Sequence, residues 1–223
     1  MKLHYFIVLL GTAVIVISFF TALAFIKKAK PAYYKYIFAF IIMGLLLCLN
    51  TIASKNYTWR YGLKTRIFIE QVLVLLQFIM FAFFFLELLK NSVFAKKIKW
   101  ILLISTPVLI GLTLIVQITN VEIRSSNIPY LVQLVFCFFY LRDLMNNKPT
   151  LLLVHSSAFW LVMGIFFSSG IGFPVSSLMP FISKNQVYAD LRFQIFSIQN
   201  MSLIIMYLFI IKSYVCLKHP QNL

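Results

Sequence analysis

Long apolar runs separated by short polar breaks organise this chain. Seven runs come close to the roughly 20 residues that a helix needs to cross a bilayer. They cover residues 5–26, 33–54, 67–89, 98–118, 128–146, 153–176 and 193–215. Because the bilayer interior offers no water to bond exposed backbone groups, each run is predicted to be a helix. The pattern therefore predicts an all-α integral membrane bundle of seven transmembrane helices.

The breaks between these runs are too short to hold a folded domain. The longest is SLMPFISKNQVYADLR, between the sixth and seventh runs, and the tail ends in KHPQNL. We therefore expect a single domain over residues 1–223, with no kinase, DNA-binding or other output domain attached. The first run is longer than the ~7–15 apolar residues of a signal peptide, so we expect it to be retained as a helix.

Composition supports a membrane environment. Hydrophobic residues make up 62% of the chain and charged residues 11%, whereas about a quarter of the residues of a soluble domain are charged. The formal net charge of +15 comes mainly from the breaks, as topology signals do. No basic domain is present, so we do not expect nucleic acid as a partner. The partner indicated directly by composition is the lipid bilayer.

The distribution of basic residues predicts an orientation. With the N-terminus outside, eight of the 20 Lys and Arg residues fall on the outer side and twelve on the inner side. The positive-inside rule therefore favours an N-out/C-in arrangement. Few acids are available to offset these charges, and Glu87 is predicted to pair with Lys90, three residues further along the helix.

The smallest residues of the sixth run lie four apart. Gly164, Ser168 and Gly172 fall on one helix face. Since transmembrane helices associate through close backbone approach, this line predicts a packing seam with another helix lying across it. The alternative is a hinge or a groove that faces a ligand. Pro174 is predicted to end or kink the run.

The third run carries an acid near its start. Glu70 lies inside the predicted span, where acids are costly and often functional. It could serve ligand binding or proton sensing, or it could form an interfacial ion pair with Arg66 at i−4. Gln77 lies two turns further along the same face, so the two residues could line a cavity that opens outward.

Polar residues on two other runs could complete a ligand pocket. Tyr130 and Gln133 lie on the fifth run and Asn200 on the seventh. One interpretation places them with Glu70 and Gln77 in the outer half of the bundle, between the third, fifth and seventh runs. The alternative is that these amides and hydroxyls bond to neighbouring helices, as such groups commonly do in membranes.

Two charged residues end the fifth run at the predicted inner face, and a third follows it. Arg142, Asp143 and Lys148 form either an interfacial charge cluster or a docking surface for a cytoplasmic protein. The whole chain contains five acids and three histidines, too few and too dispersed for the convergent groups that a hydrolase needs. We therefore expect no enzyme activity, no metal site and no cofactor.

Three passages carry a resemblance to a known group. They are RIFIEQVLVLLQFIMFAFFF, FFYLRDLMNN followed by KPTLL, and SSAFWLVMGIFFSSGIGF. The layout resembles small seven-helix membrane proteins of Bacteroidota, which are similar to the membrane sensor regions of some histidine kinases. Glu70 matches the early acid of the third helix, and Trp160 and Gly164 match the sixth-helix pattern. The resemblance implies a multi-pass protein of the bacterial inner (plasma) membrane and carries over no ligand.

These observations predict a protein of sensor or accessory type. A small ligand or physical cue would act on the outer half of the bundle, and helix shifts would relay it to a separate cytoplasmic signalling protein. The alternative is a small-solute transporter or channel, which a continuous polar path from Glu70 past Gln77 to the inner side would favour. A membrane enzyme acting on lipid is a third option, disfavoured by the lack of acids and histidines.

Overall fold

Helices account for nearly all of the described chain. The computed structural model describes residues 2–26, 31–119, 127–147, 156–183 and 189–217. Its helices are α1 (Lys2–Phe25), α2 (Tyr34–Leu88), α3 (Ala95–Thr119), α4 (Asn127–Asn147), α5 (Ser157–Ser183) and α6 (Ala189–Cys216). The prediction of an all-α protein is confirmed.

Five stretches within these helices are long and apolar enough to cross a membrane. They are Phe6–Phe25, Phe68–Leu88, Asn127–Asn146, Ser157–Leu178 and Gln194–Cys216. Tyr34–Asn50 is a shorter apolar helical stretch, and α3 is not among the five found in the described residues. These five stretches support the expectation of transmembrane helices. The count of seven stays a prediction.

The chain divides into two compact units. Unit 1 comprises Met1–Ala32 and Tyr130–Leu223, and unit 2 comprises Tyr33–Pro129. Unit 1 therefore holds α1, α5, α6 and α4 from Tyr130 onward, and unit 2 holds α2, α3 and the first residues of α4. The expectation of one domain over residues 1–223 stays a prediction.

Contacts inside unit 1 fix the directions of its helices. The α4 and α5 helices are antiparallel, because Tyr130 lies opposite Gly172 and Gln133, further along α4, bonds to Ser169, earlier on α5. The α5 and α6 helices are also antiparallel, since Trp160 lies near Lys212 while the later Gly164 lies near the earlier Met206.

The first and last helices of unit 1 run in the same direction. Gly11 of α1 lies beside Ile204 of α6. Further along both helices, the buried Ser18 hydroxyl donates to the carbonyl of Tyr207 at 3.4 Å and to that of Val14 in its own helix at 2.8 Å. Among the described side chains of α1, the buried ones form one stripe along the helix, as their helical spacing requires. They are Ile7, Val14, Ile15, Ser18 and Ala22.

In unit 2, α2 doubles back on itself. The Tyr36 and Phe83 rings stack with centroids 5.5 Å apart, and those of Phe40 and Phe81 are 4.2 Å apart. At about 1.5 Å rise per residue, a straight helix would separate either pair by more than about 60 Å. The chain therefore reverses between Phe40 and Phe81, and Tyr34–Asn50 and Phe68–Leu88 are the two antiparallel arms of a hairpin.

A short turn joins this hairpin to α3. The helix α2 closes with a hydrogen bond from the Leu89 amide to the Phe85 carbonyl. Glu87 and Lys90 form the predicted ion pair at 2.8 Å, which confirms that prediction. On α3, Ile98 and Leu109 are buried, and the positions between them that point the other way are exposed. The α3 helix thus packs one face within the protein.

Two boundaries differ from the sequence prediction. The α5 helix does not end at Pro174 but continues to Ser183, so that part of the prediction is wrong. Beyond the proline, Ser176 and Ser177 both donate their hydroxyls to the Phe173 carbonyl. Residues 55–66, predicted as a break, have helical backbone, and they lie in the stretch that joins the two arms of the hairpin, where the chain reverses.

Candidate functional site

A set of polar side chains lies between α4, α5 and α6 of unit 1. The hydroxyl of Ser169 on α5 donates to the amide oxygen of Gln133 on α4 at 2.7 Å, and both residues are buried. The amide of Gln199 on α6 donates to the hydroxyl oxygen of Tyr130 on α4 at 3.3 Å. We call these four residues the polar layer. It connects α4 to its antiparallel neighbour α5 and to α6, which runs in the same direction as α4.

Helix periodicity explains how the polar layer forms. Tyr130 and Gln133 are three residues apart and therefore share a face of α4. Ser169 and Gly172 show the same spacing on α5, in the opposite chain direction. The Gln133–Ser169 pair and the Tyr130–Gly172 pair therefore lie one helical turn apart along the contact between α4 and α5. The layer lies within the first third of α4.

Gly172 makes room for the aromatic member of the layer. A Cβ atom at this position would lie 2.7 Å from Cε1 of Tyr130, closer than real Cβ contacts allow. The ring therefore occupies the notch that the missing side chain leaves. Any larger residue at position 172 would displace Tyr130, whose hydroxyl accepts the bond from Gln199.

Gly164 faces a different helix. A Cβ atom there would lie 2.9 Å from Cβ of Phe209 and 3.1 Å from the carbonyl oxygen of Met206, both on α6. The line of Gly164, Ser168 and Gly172 thus begins against α6 and ends against α4, with Ser168 buried between them. One line of small residues on α5 serves two neighbouring helices.

The remaining residues of the predicted pocket are distributed over both units. Asn200 is half-buried and donates its amide to the Phe196 carbonyl of its own helix at 3.0 Å. Glu70 and Gln77 are half-buried on the second arm of α2, in unit 2. The side chain of Arg66, the alternative partner of Glu70, lies outside the described residues.

Two of the three predicted docking residues, Arg142 and Asp143, lie near the C-terminal end of α4. Arg142 is exposed and Asp143 is half-buried, and Met145, two residues further on, is 80% exposed. Lys148 lies outside the described residues. The end of α4 therefore presents a cation and an apolar side chain, at the opposite end of the helix from the polar layer.

Sequence reasoning missed Ser169. It selected Ser168 because that residue continues the spacing of four, yet Ser169 is the one that bonds to Gln133. Both serines are buried, and a run with two adjacent serines does not reveal which one faces a given helix. Gln199 was visible as a polar residue of the seventh run, but only the structure pairs it with Tyr130.

The chemistry of the polar layer is that of neutral groups. Two amides, a hydroxyl and a phenol offer donors and acceptors without a fixed charge, which suits an uncharged polar ligand. In the described part of the chain, no three His, Cys, Asp or Glu residues come together as a metal site would require.

Comparison with known proteins gives no further assignment. No protein family, curated protein or solved structure matches this chain. The resemblance to membrane sensor regions of Bacteroidota therefore stays a prediction.

Proposed function

We propose that this protein is a multi-pass membrane protein of sensor or accessory type, in the inner membrane of a bacterium. The observation that supports this best is the polar layer, in which two hydrogen bonds join α4 to α5 and α6 within the first third of α4. Buried polar groups that bridge helices can exchange partners when a ligand offers donors and acceptors of its own. The polar layer is therefore the site at which we propose that a ligand binds.

The packing around the layer suggests how a cue would be relayed. A ligand shifts an equilibrium only if it binds one conformation better than the other. A ligand that replaced the Gln133–Ser169 bond would free α4 to move against α5, and the far end of α4 would move with it. That end carries Arg142 and Asp143, the proposed contact for a separate cytoplasmic signalling protein.

Chain direction supports seven spans. Within unit 1, α4 is antiparallel to α5, α5 is antiparallel to α6, and α6 is parallel to α1. In a bilayer, α1 and α4 would then start on the same side. The segment 33–129 leaves from the end of α1 and leads to the start of α4, so it would cross an odd number of times. The two arms of α2 with α3 supply three crossings, although α3 is not among the five apolar spans.

Solute binding tests the proposed reception site. The purified protein would be heated in detergent with a panel of uncharged polar solutes, such as amides and sugars. We expect at least one to raise the Tm of the parent protein and to lose that effect in Gln133→Leu. Gln194→Leu is the matched control, because Gln194 is an exposed glutamine of α6. Stabilisation that survives in Gln133→Leu, or none in the parent, would contradict the proposal.

Flux separates a sensor from the alternative, a small-solute transporter or channel. The stabilising solute would be supplied outside sealed vesicles that contain the protein, and its uptake would be measured. A sensor binds the solute without accumulating it inside. Uptake above that of protein-free vesicles, lost in Gln133→Leu, would favour the transporter instead.

A further inference from the structure

The exposed face of α3 begins with two adjacent lysines. Lys96 and Lys97 precede Trp100 by four and three residues, so the three side chains occupy one helix face. Both lysines are exposed, and Trp100 is 57% exposed. Tryptophan is enriched at the level of the lipid headgroups. The lysines therefore lie where headgroup phosphates would be.

An apolar stripe continues this face toward the other end of the helix. Leu103, Ile104 and Val108 follow at helical spacing, and Leu103 and Ile104 are each 64% exposed. The opposite face is buried at Ile98 and Leu109. Along the exposed face, cationic side chains are followed by an aromatic one and then by aliphatic ones. This order matches the phosphate, the headgroup–acyl boundary and the acyl chain of a phospholipid.

The positive charge of this region has little compensation nearby. The first turn of α3 contains no acid, and Lys99 adds a third exposed cation to the same short segment. The neighbouring acid Glu87 already accepts a hydrogen bond from Lys90 at 2.8 Å. Like charges so close together repel each other and attract an anion.

We propose that this face of α3 binds an acidic phospholipid. Its phosphate contacts Lys96 and Lys97, and an acyl chain lies along Leu103, Ile104 and Val108. The proposal rests on the seven-span arrangement proposed above, since α3 must lie in the bilayer. An acidic protein surface would match the lysines alone, whereas a lipid matches the lysines, Trp100 and the aliphatic stripe together.

Fluorescence of Trp100 provides a direct readout. The chain has three tryptophans, so Trp59→Phe and Trp160→Phe leave Trp100 as the sole reporter. The protein would be reconstituted in phosphatidylcholine vesicles containing a small fraction of either brominated phosphatidylglycerol or brominated phosphatidylcholine. Bromine quenches tryptophan on contact. We expect the acidic lipid to be enriched about fivefold at Trp100, because each lysine near a membrane surface attracts acidic lipid and salt screens part of that attraction.

The matched control removes the same charge elsewhere. Lys96→Gln/Lys97→Gln should reduce the enrichment to about onefold, whereas Lys35→Gln/Lys212→Gln, which changes two other exposed lysines, should leave it intact. Equal quenching by both lipids in the parent would overturn the lipid site and leave an acidic protein as the occupant of the lysines. Quenching by neither lipid would place α3 outside the bilayer and overturn the seven-span arrangement as well.

Discussion

At the scale of single residues, glycine determines where the helices of unit 1 can approach each other closely. Gly164 and Gly111 offer a matched comparison, because both lie within helices but only one is crowded. A Cβ atom at Gly164 would meet Phe209 and Met206 of α6, whereas nothing lies within 4 Å of a Cβ atom at Gly111. The same substitution should therefore have opposite consequences at the two positions.

We expect Gly164→Ala to destabilise the protein by about 1–3 kcal/mol, the usual range for an extra carbon forced into a filled space. Gly111→Ala should be neutral or stabilise by up to about 1 kcal/mol, since alanine favours the helix. Thermal unfolding of both variants in the same detergent measures the difference. If the two variants unfold at the same temperature, Gly164 does not set the α5–α6 distance.

Residue identity predicted only part of this arrangement. The spacing of Gly164, Ser168 and Gly172 correctly places them on one face of α5, since that follows from 3.6 residues per turn. The sequence does not say that α6 covers the first and α4 the last. That outcome depends on the crossing of three helices, and local periodicity carries no information about it. The same limit explains why Ser169 was missed beside Ser168.

At the scale of elements, apolar runs located the helices well because run length reflects bilayer thickness. Five of the six helices each overlap one predicted run, and α2 overlaps two, one for each arm of its hairpin. The sequence was less informative about helix ends. Pro174 suggested an end or a kink in α5, and the helix continues past it to Ser183. The polar segment 55–66 has helical backbone, yet it lies where α2 reverses, so the predicted break corresponds to a change of direction rather than to a loss of helix.

The hairpin of α2 can be tested by cross-linking. With Cys48, Cys137 and Cys216 replaced by serine, cysteines at Phe40 and Phe81 should be joined by a short bifunctional maleimide. Their rings have centroids 4.2 Å apart, so the substituted side chains would lie within reach. The product would be detected by mass spectrometry after proteolysis between the two positions.

A second pair on the same helix is the control for this cross-link. Phe40 and Phe68 are closer in sequence than Phe40 and Phe81, but in an antiparallel hairpin they lie further apart in space. A straight α2 would reverse that order. Because a straight α2 would hold both pairs beyond the reach of a short cross-linker, at about 42 Å and about 61 Å, the absence of a product between 40 and 81 would contradict the hairpin.

At the scale of the whole molecule, the seven crossings that we propose would place the two ends of α3 on opposite sides of the membrane. Asn91 lies in the exposed turn before α3, and Asn127 begins α4. In the same cysteine-free background, Asn127→Cys should react with an impermeant maleimide added to intact cells. Asn91→Cys should react only after the membrane is opened, because the positive-inside rule places that basic turn in the cytoplasm.

The outcomes of this labelling separate span number from orientation. Met145→Cys, at the exposed end of α4, should behave like Asn91→Cys and serves as the internal control. If Asn91→Cys and Asn127→Cys react from the same side, α3 does not cross. If the pattern is inverted as a whole, seven spans stand and the N-out orientation is wrong.

The ring of Tyr130 in its glycine notch has a mechanical consequence. A side chain seated between two turns blocks gradual sliding, so α4 can move along α5 only by lifting the ring out and setting it down again. Ser168, four residues before Gly172, is the next small residue on that face. Because Ser168 carries the Cβ atom that Gly172 lacks, the ring could not settle there in the same way, and the notch therefore fixes the register of α4 along α5.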